Sequence, residues 1–67
     1  MTGRITKLIE HQQFGTIAGD DGEEYAFHSR SLHGVSFGAL SLGTPVAFEP
    51  YRSTNDVRRA NAVRLAT

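Results

Sequence analysis

The chain of 67 residues has no cysteine and no tryptophan, one methionine and two prolines, and its seven basic residues are balanced by seven acidic ones. Each shortage removes a class of protein. Without cysteine there is neither a disulfide framework nor a thiolate zinc site, and the composition fits a reducing compartment. A formal charge of zero is unlike a protein that grips duplex DNA through a basic stripe. No apolar run approaches a membrane span, and Met1-Thr2-Gly3-Arg4 is not a charged segment leading into an apolar one. The expectation is therefore a cytoplasmic protein with no membrane partner. The length suits a single domain over 1–67, near the lower limit at which a chain folds without disulfides or metal. Dimerisation would help so small a core, so a monomer or weak homodimer is expected.

What is present is alternation. The segments Gln13-Phe14-Gly15-Thr16-Ile17 and Tyr25-Ala26-Phe27-His28 flank an Asp-Gly turn at Asp21-Gly22. On a pleat of period two, Ile17, Tyr25 and Phe27 fall on one face, and Phe14, Thr16, Ala26 and His28 on the other. One face makes a core, with the Tyr25 hydroxyl sent to its rim. The other puts a phenyl ring and an imidazole in water, and exposed rings on a sheet are surfaces on which single-stranded nucleic acid stacks. A shift of register by one would bury Phe14 but turn Ile17 outward.

The rest of the chain reads as short strands with closely spaced turns. Residues 3–10 carry Ile5, Leu8 and Ile9, as a curved strand serving two parts of a barrel would. Gly19-Asp20-Asp21-Gly22 offers the positive φ of a tight hairpin. A long loop over 29–41, with one helical turn at Arg30-Leu32, leads to Pro45-Val46-Ala47-Phe48-Glu49-Pro50, whose prolines indicate strand ends or an edge. Ser53-Thr54-Asn55-Asp56 is polar turn material, and 60–65 closes the sheet. The expected core is Ile5, Ile17, Tyr25, Phe27, Val46, Phe48 and Val63. Charge is uneven: Asp20, Asp21, Glu23 and Glu24 crowd one turn, while Arg52, Arg58, Arg59 and Arg64 crowd the last quarter. A local positive patch can exist with no net charge, although Arg58 and Arg59 could equally be a solvated loop edge.

In order and spacing these segments resemble the bacterial cold-shock domain, from Gly3 to Leu65. Gln12-Gln13-Phe14-Gly15-Thr16-Ile17 stands where that family has Lys-Gly-Phe-Gly-Phe-Ile, and Tyr25-Ala26-Phe27-His28 where it has Val-Phe-Val-His. Ser31-Leu32, Gly34, Phe37, Leu40, Gly43, Val46, Phe48, Glu49, Asn61 and Val63 follow without a gap. The resemblance implies an all-β fold, a five-stranded antiparallel barrel of the OB type. It also implies binding of single-stranded RNA or DNA, as an RNA chaperone or a regulator of transcription or translation. Departures are specific. Lys7 stands in place of a tryptophan, and Thr16, Ala26 and Ser29 in place of three further rings, leaving Phe14, His28 and Phe37 of the platform. Since each base on a ring is worth about 1–3 kcal/mol, a weakened or altered binder is expected.

The candidate nucleic-acid-binding residues are thus Lys7, Phe14, Thr16, Ala26, His28, Arg30, Phe37 and Arg58. Several have a plainer reading. His28 could cap the following turn through a ring nitrogen, Phe37 could plug the open end of the barrel, and Lys7 and Arg30 could be ordinary surface cations. Gln12 and Gln13 remove a charge and a glycine from the family pattern. No catalytic constellation is evident: Ser29 and Ser31 flank His28 with no positioned acid, the spacing of His11, His28 and His33 supports no metal site, and Gly15, Gly19 and Gly22 form no phosphate loop. Neither enzyme activity nor a cofactor is expected. The competing reading is a small barrel that has lost its nucleic-acid face and serves as a protein-interaction or dimerisation module.

Overall fold

The computed structural model describes residues 1–52 and 57–66; the expected polar turn at Ser53-Thr54-Asn55-Asp56 lies outside the described residues. Strands β1 (Thr2–Ile9), β2 (Phe14–Gly19), β3 (Glu24–His28), β4 (Pro45–Arg52) and β5 (Arg58–Leu65) close into a barrel of order β1-β2-β3-β5-β4. Single 3-10 turns at Glu10–Gln12, Ser29–Ser31 and Phe37–Ala39 are the helical elements among the described residues. None is long and apolar enough to cross a membrane. The barrel is of the OB type, as expected, with one correction. Its pairing is mixed, because β3 and β5 run parallel at Ala26 and Arg59. An odd number of strands in a closed ring cannot alternate direction throughout, so one parallel pair is unavoidable. It falls between β3 and β5, which the chain joins through the 29–44 connection and β4, the long crossover that a parallel neighbour requires.

The alternation expected of β2 and β3 is realised in their register, which pairs Phe14 with His28, Gly15 with Phe27, Thr16 with Ala26 and Ile17 with Tyr25. All seven expected core residues are buried, and Phe37, Leu40 and Ala60 join them. Tyr25 tilts against Phe48 with centroids 5.1 Å apart, and Phe27 against Phe37 at 6.2 Å. Gly15 makes the second contact possible, since a Cβ there would come within 2.8 Å of the Phe27 ring and 2.7 Å of the Lys7 carbonyl oxygen. Pro50 sits inside β4 without cost to the ladder. The Phe48 amide donates to the Met1 carbonyl at 2.8 Å, and position 50, two residues on, directs its nitrogen the same way, past the start of β1.

Two irregularities bend the barrel. In β1, Ile5 faces Ile17 but Lys7 faces Thr16, so Thr6 is an extra residue. In β5, Ala47 faces Arg64 but Glu49 faces Asn61, and the extra residue lies by Ala62, whose φ is 50°. Such a bulge normally places glycine in the left-handed region. An alanine there carries a Cβ against its own backbone, a cost of about 1–2 kcal/mol. Ala62→Gly is therefore expected to raise stability by about 0.5–1 kcal/mol after the greater entropy of the unfolded glycine is offset. A thermal melt reads this as a rise of several degrees, on the order of 4–8 °C per kcal/mol in a domain of this size.

Candidate nucleic-acid interface

The outward face of β2 and β3 is built around one cross-strand pair. Phe14 lies opposite His28, and on its other side Ile9 of β1 is its partner. Flanked in this way, the Phe14 ring is half-buried and not free in solvent as the alternation alone implied. Directly opposed side chains stand close enough to make one continuous surface. His28 does cap the turn that follows: its Nδ1 accepts the Arg30 amide at 3.2 Å. An accepting Nδ1 in the neutral ring assigns the proton to Nε2, so capping leaves a ring face and an N–H donor. The two readings of His28 are thereby compatible.

Next along the sheet comes a row of small residues. Thr16 faces Ala26, both half-buried, and the Thr16 and Thr6 hydroxyls are 2.8 Å apart. The bulge at Thr6 is what brings exposed Lys7 opposite Thr16. Across the parallel pairing, Ala26 faces Arg59, and Arg59 faces Tyr51 of β4. Lys7, Thr16, Ala26, Arg59 and Tyr51 thus form one row, about 19 Å long as measured around the curved barrel wall at the spacing of neighbouring strands. Over Ala26 lies a groove of about 320 Å³, walled by His28, Arg30, Tyr51 and Arg59. The bridge from Leu32 to Val63 and the His33 amide bond to the Val63 carbonyl, 2.8 Å, hold the Ser29–Ser31 turn, and Arg30 with it, beside β5.

Two sequence-based assignments change. Phe37 is only 6 % exposed and packs on Phe27, so it plugs the barrel and offers no face to a base. Arg58 is turned to the rim, where its guanidinium meets the Glu23 carboxylate at 3.4 Å. Arg59, one residue on, takes the position beside Ala26. Arg59 and Tyr51 were missed as site residues because their placement depends on the β3–β5 and β4–β5 pairings, which no local pattern encodes. Lys7, Arg30 and Arg59 have no carboxylate partner among the described residues. No protein-family model matches this chain, and no curated protein matches it.

The acidic turn forms the opposite electrical end. Asp21 accepts the Tyr25 hydroxyl at 2.7 Å and the Glu23 amide at 3.0 Å, which places the Tyr25 hydroxyl at the rim. The Tyr25 hydrogen bond, followed by that amide, holds the Asp21 carboxyl below its ordinary value of 3.8. The same bond to Asp21 raises the Tyr25 hydroxyl above its ordinary 10.0. A lowered acid stabilises the fold above its ordinary value and loses that contribution as pH falls through the folded one. A raised hydroxyl contributes below its ordinary value and loses it as pH rises through the folded one. Asp21→Asn keeps an acceptor but removes the charge. The stability difference between wild type and variant, from urea unfolding, is expected to be largest near neutrality and to shrink both below about pH 4 and above about pH 10. A difference constant with pH would mean the bond does not sense either ionisation.

Proposed function

We propose that the protein is a non-enzymatic, cytoplasmic binder of single-stranded RNA or DNA, a cold-shock-like module with a reduced stacking surface. The observation that carries this reading is the Phe14–His28 pair, two flat groups directly opposite each other on the outward face. Three cations without carboxylate partners among the described residues, Lys7, Arg30 and Arg59, stand around the same face. Rings supply sequence-tolerant stacking, and cations track the phosphate chain. Such a surface would hold a strand extended and keep it from pairing with itself, the physical basis of an RNA chaperone.

Phe14→Ala is expected to weaken binding to pyrimidine single strands by about 1–3 kcal/mol. With the ring half-buried, the change should lower stability by no more than about 1 kcal/mol. A titration followed by chemical shifts measures affinity and maps the contact surface together. An unchanged affinity, or shifts confined to another face, would remove this face from the function. No binding at low salt would favour the interaction-module alternative.

The salt dependence tests the electrostatic share. With up to three phosphates engaged by Lys7, Arg30 and Arg59, the slope of log affinity against log salt is expected near −2, at about −0.7 per phosphate on a single strand. A much steeper slope would assign the binding to a wider basic patch.

A further inference from the structure

The groove over Ala26 is not part of a flat platform. The small side chain of Ala26 lowers the floor, and Tyr51, Arg59, His28 and Arg30 rise around it. Its volume of about 320 Å³ is at the lower end of the range of about 300–1,000 Å³ that holds small ligands. Tyr51 is 47 % exposed. An exposed ring on a strand contributes little to the core, but it is a stacking surface. Among the described residues, two arginines and no carboxylate line the groove. Beyond Tyr51 the surface loses its positive excess, because the neighbouring hollow sets Asp21 and Glu23 against Arg52 and Arg58, and Arg58 is already paired with Glu23.

Resting on the single-strand-binding reading above, we propose that this groove is a nucleotide subsite forming the terminus of the strand's path. One base stacks on Tyr51. Its phosphate is held by Arg59 and Arg30, whose guanidinium forks suit phosphate oxygens. The Nε2–H of His28 and the Ser31 hydroxyl, also at the groove, are donors within the same wall for base edges or sugar. The path starts at Phe14 and His28, crosses Ala26 and stops at Tyr51, since the balanced charges of the next hollow offer no net attraction to a further phosphate. The subsite exists because Ala26 is small: a ring at this position would occupy the space that a base takes here.

The test is the affinity of oligothymidylates of increasing length for wild type and variants, with thermal melts to verify folding. Tyr51→Ala and Arg59→Gln should each weaken binding to the longer strands by about 5–100-fold, the equivalent of one lost base contact. The loss should be smaller for the shortest strands. Tyr51→Phe should retain affinity, and Arg59→Gln should reduce the salt slope by about 0.7. Arg4→Gln is the control, its guanidinium being bound to the Gly43 carbonyl at 3.1 Å, away from the groove. Ala26→Phe decides between groove and platform, because it should weaken binding by filling the groove, whereas a flat stacking surface would gain. If Phe14→Ala weakens binding while Tyr51→Ala and Arg59→Gln do not, or if Ala26→Phe strengthens it, the subsite is overturned and the single-strand reading stands. If wild type binds no single strand, both fall.

Discussion

The contact between Gly15 and the Phe27 ring is the constraint on which the rest of the barrel depends. The two residues are register partners, and the ring occupies the volume that any side chain at position 15 would claim. Phe27 can then lie across β2 and meet Phe37 from the far loop, which closes that end of the core. Burying a ring of this size contributes about 1.5–3 kcal/mol, a large share of the stability of a domain this small. Because side chains alternate strictly along a strand, settling Gly15 and Phe27 inward also settles Phe14 and His28 outward. Core packing and the candidate binding face are two consequences of one register.

That register was legible because it is local. Ile17, Tyr25 and Phe27 against Phe14, Thr16, Ala26 and His28 is a period-two pattern in two adjacent segments joined by an Asp-Gly turn, and Gly22 indeed adopts φ 85°. The core residues of β1, β4 and β5 followed from the same alternation. The parallel β3–β5 pair was not visible in any segment, although the parity of five strands in a ring demands one parallel pair somewhere. Phe37 illustrates the other limit. An isolated phenylalanine in a Gly- and Ser-rich loop has no neighbouring pattern to orient it, and only the position of Phe27 decides that it plugs.

The arginines show how one residue changes a functional assignment. Arg58 and Arg59 are adjacent on a strand and so face opposite ways. Arg58 reaches the acidic turn and pairs with Glu23, while Arg59 stands beside Ala26 on the ring face. The sequence placed both in a basic cluster and had no means of choosing, since β5 acquires its facing from β3 and β4, which come from distant parts of the chain. Tyr51 was overlooked for the same reason. Gln13 is the converse case, a residue whose substitution for glycine was visible but whose consequence was not. It holds φ 55°, and its side chain donates to the Glu10 carbonyl at 2.9 Å, so a local bond offsets part of the strain that glycine would avoid.

Zero net charge conceals a separation of acidic and basic residues over the surface. Acidic residues at the Asp20–Glu24 turn and the cations Lys7, Arg30 and Arg59, which have no carboxylate partner among the described residues, occupy different parts of the surface, and Tyr51 borders both hollows. A neutral protein of this kind gains little from long-range attraction to nucleic acid. The proposed binding would rest on short-range contacts at the rings and on a few phosphates held in register with them. Fewer rings therefore do not amount simply to a weaker version of the same surface. Where a bulky ring would stack a base, the small Ala26 instead leaves a recess that flat stacking cannot provide. A recess distinguishes what enters it by shape and by hydrogen bonds at its wall, whereas an open ring accepts the face of any base. If the proposed function holds, small residues on this face would shift its chemistry from indiscriminate stacking toward selection of the nucleotide seated over Ala26.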